Sequence, residues 1–483
     1  MIFLIVQYDF SFDKFEKGGD RICRVVTNHD ARVPFQLVNE VRNEVTGLDV
    51  AALLNRWDFE INMSIAKPGD VKPSVFLNMP NIVFADDNYF KLINYKWISG
   101  SPEYSLSQPY QTVLTEQSAK RFFPNLSLND VVGKEITFND TVHTIVSGII
   151  ENLKYNTDFN FQIFVSRATE KALIRRSLHD EEYIPPSVLF VKLSRNTNPE
   201  QIAKQIGNVY KLHAKPSSNG RFNLNYGLEP LSNLHFSKLY EGDSGPAKAY
   251  RPALCGLMVV AGILLLLACI NFINLTTAQS SERAKEIGIR KTLGGSRKQL
   301  IFQFLSETFI LTAISTLIFI FFAPLLLKAF SGFIPEGLHF DIQQPGVILF
   351  LLITTILVSL FSGIYPALIL SSYRPIAVLK NQTVSGLGNT RRLFFRKTLT
   401  VSQFVIAQVF IIATIVVGRQ IHLELNKDMG FKKNAIIYFG TNYRDTSTAK
   451  RMVLLQKFKT IPEIANVSLG GFPPSTNGHW DSI

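Results

Sequence analysis

The stretch "SSERAKEIGIRKTLGGSRKQLIFQFLSE", residues 280–307, decides how the chain is read. Ahead of it, residues 252–281 carry no charge. Within it six basic residues (Arg283, Lys285, Arg290, Lys291, Arg297 and Lys298) meet two acids, Glu282 and Glu286, before the chain turns apolar again. Residues 308–327, 342–373 and 398–418 are three more uncharged windows. A helix rises about 1.5 Å per residue and a bilayer's hydrocarbon core is about 30 Å thick, so roughly twenty residues suffice to cross it. All four windows meet that length. The sequence therefore predicts a membrane α-helical protein with four complete transmembrane helices.

Lys and Arg in the short loops set the orientation, because they favour the cytoplasmic side. Besides the six basic residues of the opening stretch, the loop before the fourth window carries Arg374, Lys380, Arg391, Arg392, Arg396 and Lys397 with no acid. The loop between the second and third windows sets Lys328 against Glu336 and Asp341. Both basic loops are thus expected on the cytoplasmic side and the large N-terminal region outside. Twelve basic against two acidic residues in those loops leave +10 of the formal net charge of +12. The basic balance is a topology signal with some attraction to lipid headgroups, not a sign of nucleic-acid binding.

Residues 9–250 read as an extracytoplasmic α+β domain of two lobes. "ICRVVT" and "DVAALLN" are strand-like and flank the helical "VPFQLVNEVRNEVTG". A helix is expected to start near Thr115, a hairpin to turn at Asn139-Asp140, and a second helix to be capped by Asn198 with Pro199 in its first turn. The apolar start "MIFLIVQY" is too short to cross a bilayer and lacks the features of a signal peptide. It fits the outer end of a span, or a buried strand. Cys255 and Cys269 fall in the first window, so Cys23 has no partner outside for an internal disulfide and reads as a buried small side chain.

The motif search finds no chemistry. "VVGKEI" has the Gly-Lys of a phosphate loop but neither its first glycine nor its hydroxyl. The eight histidines fall in no metal-ligand spacing. Asp86-Asp87 reads as a solvated turn. No Asp, Glu, Lys, Arg or His lies in the apolar windows, which disfavours an ion-coupled carrier. The expectation is a non-enzyme without cofactor or metal.

Three polar or helix-disturbing features remain. Asn271 and Asn274, three residues apart, share a helix face; they fit a hydrogen bond to a neighbouring helix or second subunit, or a substrate contact. Gly363 and Pro366 in "SGIYPALIL" are expected to bend or break the third span. Residues 281–293 form a helical pattern with Ile287, Ile289 and Leu293 on a basic background. Gly294-Gly295 should end that helix and Ser296 should cap the next. Two readings of it stay open: an interfacial amphipathic helix, or a docking helix gripped by a cytoplasmic partner.

"RAKEIGIRKTLGGSRKQLIFQFLSE", with "LLLLACINFINLTTAQSSERAKE" and "SGIYPALILSSYRPIAVLK" around it, resembles the FtsX-like and MacB-type ABC permeases in their duplicated Bacteroidota form. "YDFSFDKFEKGGDRICRV" and "DDNYFKLINYKWISGSPEYSLSQPYQTVLTEQSAKRFF" resemble the same family's periplasmic core domain. The resemblance implies a remnant of a first span in 1–8, the periplasmic core domain in 9–250 and an FtsX-like permease domain with three spans in 251–380. A cytoplasmic linker and fourth span would occupy 381–425, and a second periplasmic domain would begin at 426–483. It further implies a multi-pass protein of the bacterial inner membrane, served by a separate ABC ATPase. That ATPase would act on a coupling helix comprising Glu282, Arg283, Lys285, Glu286, Ile287, Gly288, Ile289, Arg290, Lys291 and Leu293. A second permease module or homodimer, and a periplasmic adaptor or hydrolase, complete the implied partners. Export or extraction of peptides, antibiotics or lipoproteins, control of a cell-wall hydrolase, and a non-functional fragment are the functions left open.

Overall fold

Strand pairing makes neighbours of segments far apart in sequence. The computed structural model describes residues 1–483 except 29, 35–36, 57–60, 67–71, 171–186, 214–224, 238–248, 336, 339, 373–386, 428–435, 439–447 and 471–483. Among the described residues twelve strands form one mixed sheet. They are β1 (Ile22–Val26), β2 (Leu48–Arg56), β3 (Met63–Ile65), β4 (Ser74–Phe76), β5 (Ile82–Ala85), β6 (Trp97–Ser99), β7 (Gln111–Thr115), β8 (Glu135–Phe138), β9 (Val142–Ile150), β10 (Ile163–Ser166), β11 (Val188–Leu193) and β12 (Gly227–Pro230). The order is β12-β1-β11-β2-β5-β10-β7-β9-β8-β3-β4, with β6 also on β9. The β5–β10 and β7–β9 pairs are parallel and the rest antiparallel. The β8–β9 hairpin turns through Asn139 and Asp140, both at positive φ, a conformation that asparagine and aspartate tolerate in tight turns.

Alternation along the strands sorts the core into three clusters. On one face, Leu53, Leu189 and Val191 pack under Leu37 and Val41 of the helix Leu37–Glu44, together with Ile202 and Ile206 of the helix Pro199–His213.

 Here α1 is the helix Ile2–Phe10, α1b the single 3-10 turn Gly19–Arg21 that follows it, and α2 the helix Leu37–Glu44. The remaining helices of this region are α3 (Tyr89–Leu92), α4 (Glu116–Phe122), α5 (Leu128–Val131), α6 (Pro199–His213) and α7 (Leu231–Leu234). At the other end of the same face, Leu114, Ile163 and Phe138 pack under Phe122 of α4 and Val131 of α5. The opposite face buries Leu54, Val83, Phe164 and Phe190 under Tyr89 of α3 and Leu234 of α7. The two lobes expected from the sequence are thus the two ends of one continuous sheet. Thr115 caps α4, its side chain accepting from Ser118 N, and Asn198 Oδ1 accepts from Glu200 N at 2.9 Å at the start of α6.

The seam between the two ends corrects one expectation. Asp86 is not a solvated turn residue but is buried. Its Oδ2 accepts from Arg42 Nη2 (2.6 Å) and Leu53 N (3.0 Å), and its Oδ1 from Asn88 N (3.1 Å). Burial raises its pKa, with Arg42 acting in the opposite sense. The carboxylate satisfies backbone donors beyond the reach of the strand ladder, which a two-residue reading of "DD" does not reveal.

The membrane half consists of α8 (Arg251–Ala278), α9 (Ser280–Thr292), α10 (Arg297–Ala329), α11 (Pro345–Leu370) and α12 (Leu387–Asn426). Helices α8, α10 and α11, and residues 397–426 of α12, are long and apolar enough to cross a membrane. The chain divides into two compact units, Met1–Ile406 and Ala407–Ile483. The second unit holds the end of α12 and α13 (Thr448–Lys459), which buries none of its residues; much of the expected second periplasmic domain lies outside the described residues.

Arg24 of β1 and Glu229 of β12 form a buried ion pair, 2.6 Å from Nη2 to Oε2, with side chains only 2% and 7% exposed. Removing one partner strands a charge in the interior. Glu229→Ala should cost about 3–5 kcal/mol, and the paired replacement Arg24→Met with Glu229→Leu far less. Denaturant melts of the exterior domain within the full chain check both.

Candidate functional site

Helix α9 is separated from α8 by Gln279 alone, which stays in the right-handed helical region. Its far end is closed by a Schellman turn: Gly295 N donates to Arg290 O (2.9 Å) and Gly294 N to Lys291 O (3.1 Å). Gly294 has φ +96°, and a Cβ on Gly295 would lie 2.9 Å from Arg290 O. Ser296 then caps α10. Its Oγ accepts from Gln299 N (3.3 Å), while Gln299 Oε1 accepts from Ser296 N (2.9 Å), a complete capping box. Chain direction is therefore reversed within four residues, 293–296.

The predicted coupling residues divide between two sides. Ile287, 2% exposed, packs with Leu300 and Phe304 of α10 and Leu370 of α11; Gly288 is buried beside it. Arg283 pairs with Glu307 of α10, Nη1 to Oε1 2.8 Å. Lys291 Nζ donates to Ser371 O (2.6 Å), and Arg297 Nε to Ser371 Oγ (3.3 Å), just beyond the end of α11. On the other side stand Ile289, 50% exposed, and Leu293, 82% exposed, with the paired side chains of Glu286 and Arg290. The side chains of Glu282 and Lys285 lie outside the described residues. The helix is thus fastened to α10 and α11 by one face and presents an apolar pair with flanking charges on the other.

Helices α10 and α11 are themselves in close contact. Thr355, Ser359, Gly363 and Ala367 recur every four residues along α11, and all are buried. A Cβ on Gly363 would come within 3.1 Å of Leu305 Cδ2 and Thr308 Oγ1 of α10. Thr316 and Thr355 hydroxyls meet at 2.9 Å across the crossing. Such stripes of small residues let transmembrane backbones approach. Of the expected bend or break, the break does not occur: α11 runs unbroken through Gly363 and Pro366. The glycine serves close packing, and the four-residue period that sequence reasoning overlooked was the signal for it.

Asn274 Nδ2 donates to Gln403 Oε1 of α12 at 3.4 Å. Asn271 is exposed on the same helix. Among the described residues no group of three His, Cys, Asp or Glu side chains is placed to hold a metal.

A mixed α+β domain, a bundle of long apolar helices and a short charged helix fastened beneath two of them define a multi-pass membrane protein. The model for the FtsX-like permease C-terminal domain matches residues 258–375, and that for the MacB-like periplasmic core domain matches residues 1–209. Residues 1–209 and 258–375 thus match the two domains of MacB/FtsX-type ABC transporter permeases. It is 35% identical over 124 residues to the uncharacterised ABC transporter permease YknZ of Bacillus subtilis, covering 25% of this chain and 30% of that one. It is 22% identical over 300 residues to the macrolide export ATP-binding/permease protein MacB of Haemophilus ducreyi, covering 61% and 39%. It is 22% identical over 311 residues to the uncharacterised permease YvrN of Bacillus subtilis, covering 63% and 71%. The matches thus span well under half the length of the first two relatives.

Gly363→Leu should force α10 and α11 apart and cost about 1–3 kcal/mol, as overpacking does. Gly294→Ala, strained at positive φ, should cost about 1 kcal/mol. Thermal aggregation of the detergent-solubilised chain should rank Gly363→Leu below Gly294→Ala, and both below the native protein.

Proposed function

We propose that the chain acts as the permease component of an ATP-driven ABC transporter in the bacterial inner membrane. Helix α9 is the element on which a separate ABC ATPase acts. The observation that carries this reading is the two-sided arrangement of α9. Its inner face is held by Ile287, Arg283 and Lys291, while Ile289 and Leu293 stand exposed between charged neighbours. An apolar tip in a polar surround is what a docking groove takes up. Because α9 is bonded to the end of α11 and leads through a four-residue turn into α10, a push on the tip displaces two long helices together.

The match to a macrolide export ATP-binding/permease protein supports an ATPase partner and an export or extraction role. Peptides, antibiotics and lipoproteins are the substrate classes in view. No described residue in the central stretch of the apolar spans is Asp, Glu, Lys, Arg or His, which suits work done on a substrate outside the hydrocarbon core.

Exposure also decides how this is tested. Lys291 holds α11 and is unsuited to probing a partner, whereas Ile289 and Leu293 are exposed and belong to no buried cluster among the described residues. Burying one such side chain contributes about 1.5–3 kcal/mol, so its loss should weaken binding roughly ten- to hundredfold. The native chain, purified from its own membranes in mild detergent, should retain an ABC-type ATPase identified by mass spectrometry. Ile289→Asp with Leu293→Asp should lose it while keeping the native melting temperature. Equal recovery with both proteins would remove α9 from the role.

A further inference from the structure

Where α1 meets the exterior domain, four ionisable side chains share a buried space. Asp9 comes from α1, Asp13 from the segment after it, Asp158 from the loop ahead of β10, and His235 from the residue that ends α7. His235 Nδ1 lies 3.0 Å from Asp158 Oδ1, and its Nε2 lies 3.4 Å from Asp9 Oδ1. Its ring is stacked on Phe12 at 3.6 Å between centroids, with Phe236 against its edge. Asp13 Oδ1 accepts from Thr157 Oγ1 (2.5 Å) and Asp158 N (3.3 Å). Asp13 Oδ2 and Asp158 Oδ2 are buried without a hydrogen-bond partner among the described residues.

The charged and titratable neighbours are engaged elsewhere. Arg56 Nη2 donates to the main-chain carbonyl of Asp158 (3.1 Å) rather than to its carboxylate. Glu16 accepts from Asn94 N (3.0 Å), and Arg251 of α8 lies over the Phe236 ring and donates to Asn233. The Tyr89 and Tyr95 hydroxyls bond to each other.

Proton count then decides how well this space is satisfied. An imidazolium has two N–H donors, one for Asp158 and one for Asp9; a neutral imidazole has one, so one of those contacts must go. A neutral Asp13 carries a donor of its own and removes the repulsion between its carboxylate and that of Asp158. Fully deprotonated, the space would hold three carboxylates without a cation.

We propose that Asp9, Asp13, Asp158 and His235 form a proton-operated latch between α1 and the exterior domain, closed when His235 carries both protons and Asp13 is neutral. Titration acts on both groups in one direction. Burial pushes Asp13 up to about 7, against the hydrogen bond from Thr157. For His235 burial acts downward, but the bonds to Asp158 and Asp9 outweigh it and leave the pKa raised. A carboxyl raised in the folded state loses stability as pH climbs from the ordinary carboxylate range to about 7. A raised histidine contributes stability below its ordinary value that is lost as pH passes the raised one. The latch therefore tightens on the acid side and loosens through neutrality. This inference goes beyond the transport reading and does not rest on it, since the latch is measurable without an ATPase or substrate.

Hydrogen exchange of the full chain in nanodiscs, corrected for the intrinsic pH dependence, tests it at pH 6 and pH 8. Peptides spanning residues 5–13 and 231–237 should show an opening equilibrium about tenfold larger at pH 8 from Asp13 alone. Asp13→Asn should remove that part and stay protected at pH 8. His235→Gln should open the same peptides at pH 6. Protection equal at both pH values in the native chain, or native pH dependence in Asp13→Asn, would overturn the latch. Should His235→Gln fail to fold, the native chain and Asp13→Asn decide the matter by themselves.

Discussion

The close approach of α10 and α11 is the constraint on which the rest of the first unit's membrane half depends. Between apolar helices in a lipid there is no hydrophobic force to gain, so association rests on packing and on hydrogen bonds across the interface. Thr355, Ser359, Gly363 and Ala367 supply the close packing, and the Thr316–Thr355 pair adds a hydrogen bond. Helix α11 then serves as an anchor at both ends. Beyond its C-terminus, Ser371 takes bonds from Lys291 and Arg297, with Leu370 under Ile287. Near its N-terminus, Phe350 is stacked on Phe3 of α1 at 3.8 Å. One rigid helix thus touches both the candidate docking helix and the helix that enters the exterior domain.

The exterior domain answers a different demand. Among the described residues its sheet is covered on one face at both ends and on the other face in the middle. Three groups of the buried charges lie where this cover changes over or at the sheet's margin. Asp86 with Arg42 fills the seam, Arg24 with Glu229 joins β1 to the margin strand β12, and His235 with its aspartates lies where α1 arrives. Each joins segments distant in sequence, the Arg24–Glu229 pair doing so between cross-strand partners of the ladder itself.

Period and cap signals were legible in the sequence because they act over a few residues. The four apolar windows, the Thr115 and Asn198 caps, the Asn139-Asp140 turn and the Gly294-Gly295-Ser296 reversal all belong to this kind. The division of α9 into a fastened and an exposed face was not legible. Ile287 and Ile289 are the same residue type two positions apart, and only the placement of Leu300 and Leu370 separates their roles. A solvated Asp86 and a helix-breaking Gly363 are local readings, whereas the burial of the one and the close packing of the other are set by neighbours dozens of positions away.

The bond from Lys291 to Ser371 is accepted by a main-chain carbonyl. Its acceptor survives any exchange of the side chain at position 371, so in a family of diverging chains that position could drift while the contact endured. The record of the contact would be kept at Lys291 alone, and paired variation between the two positions, the usual trace of spatial contact, would not betray that α9 and α11 are tied.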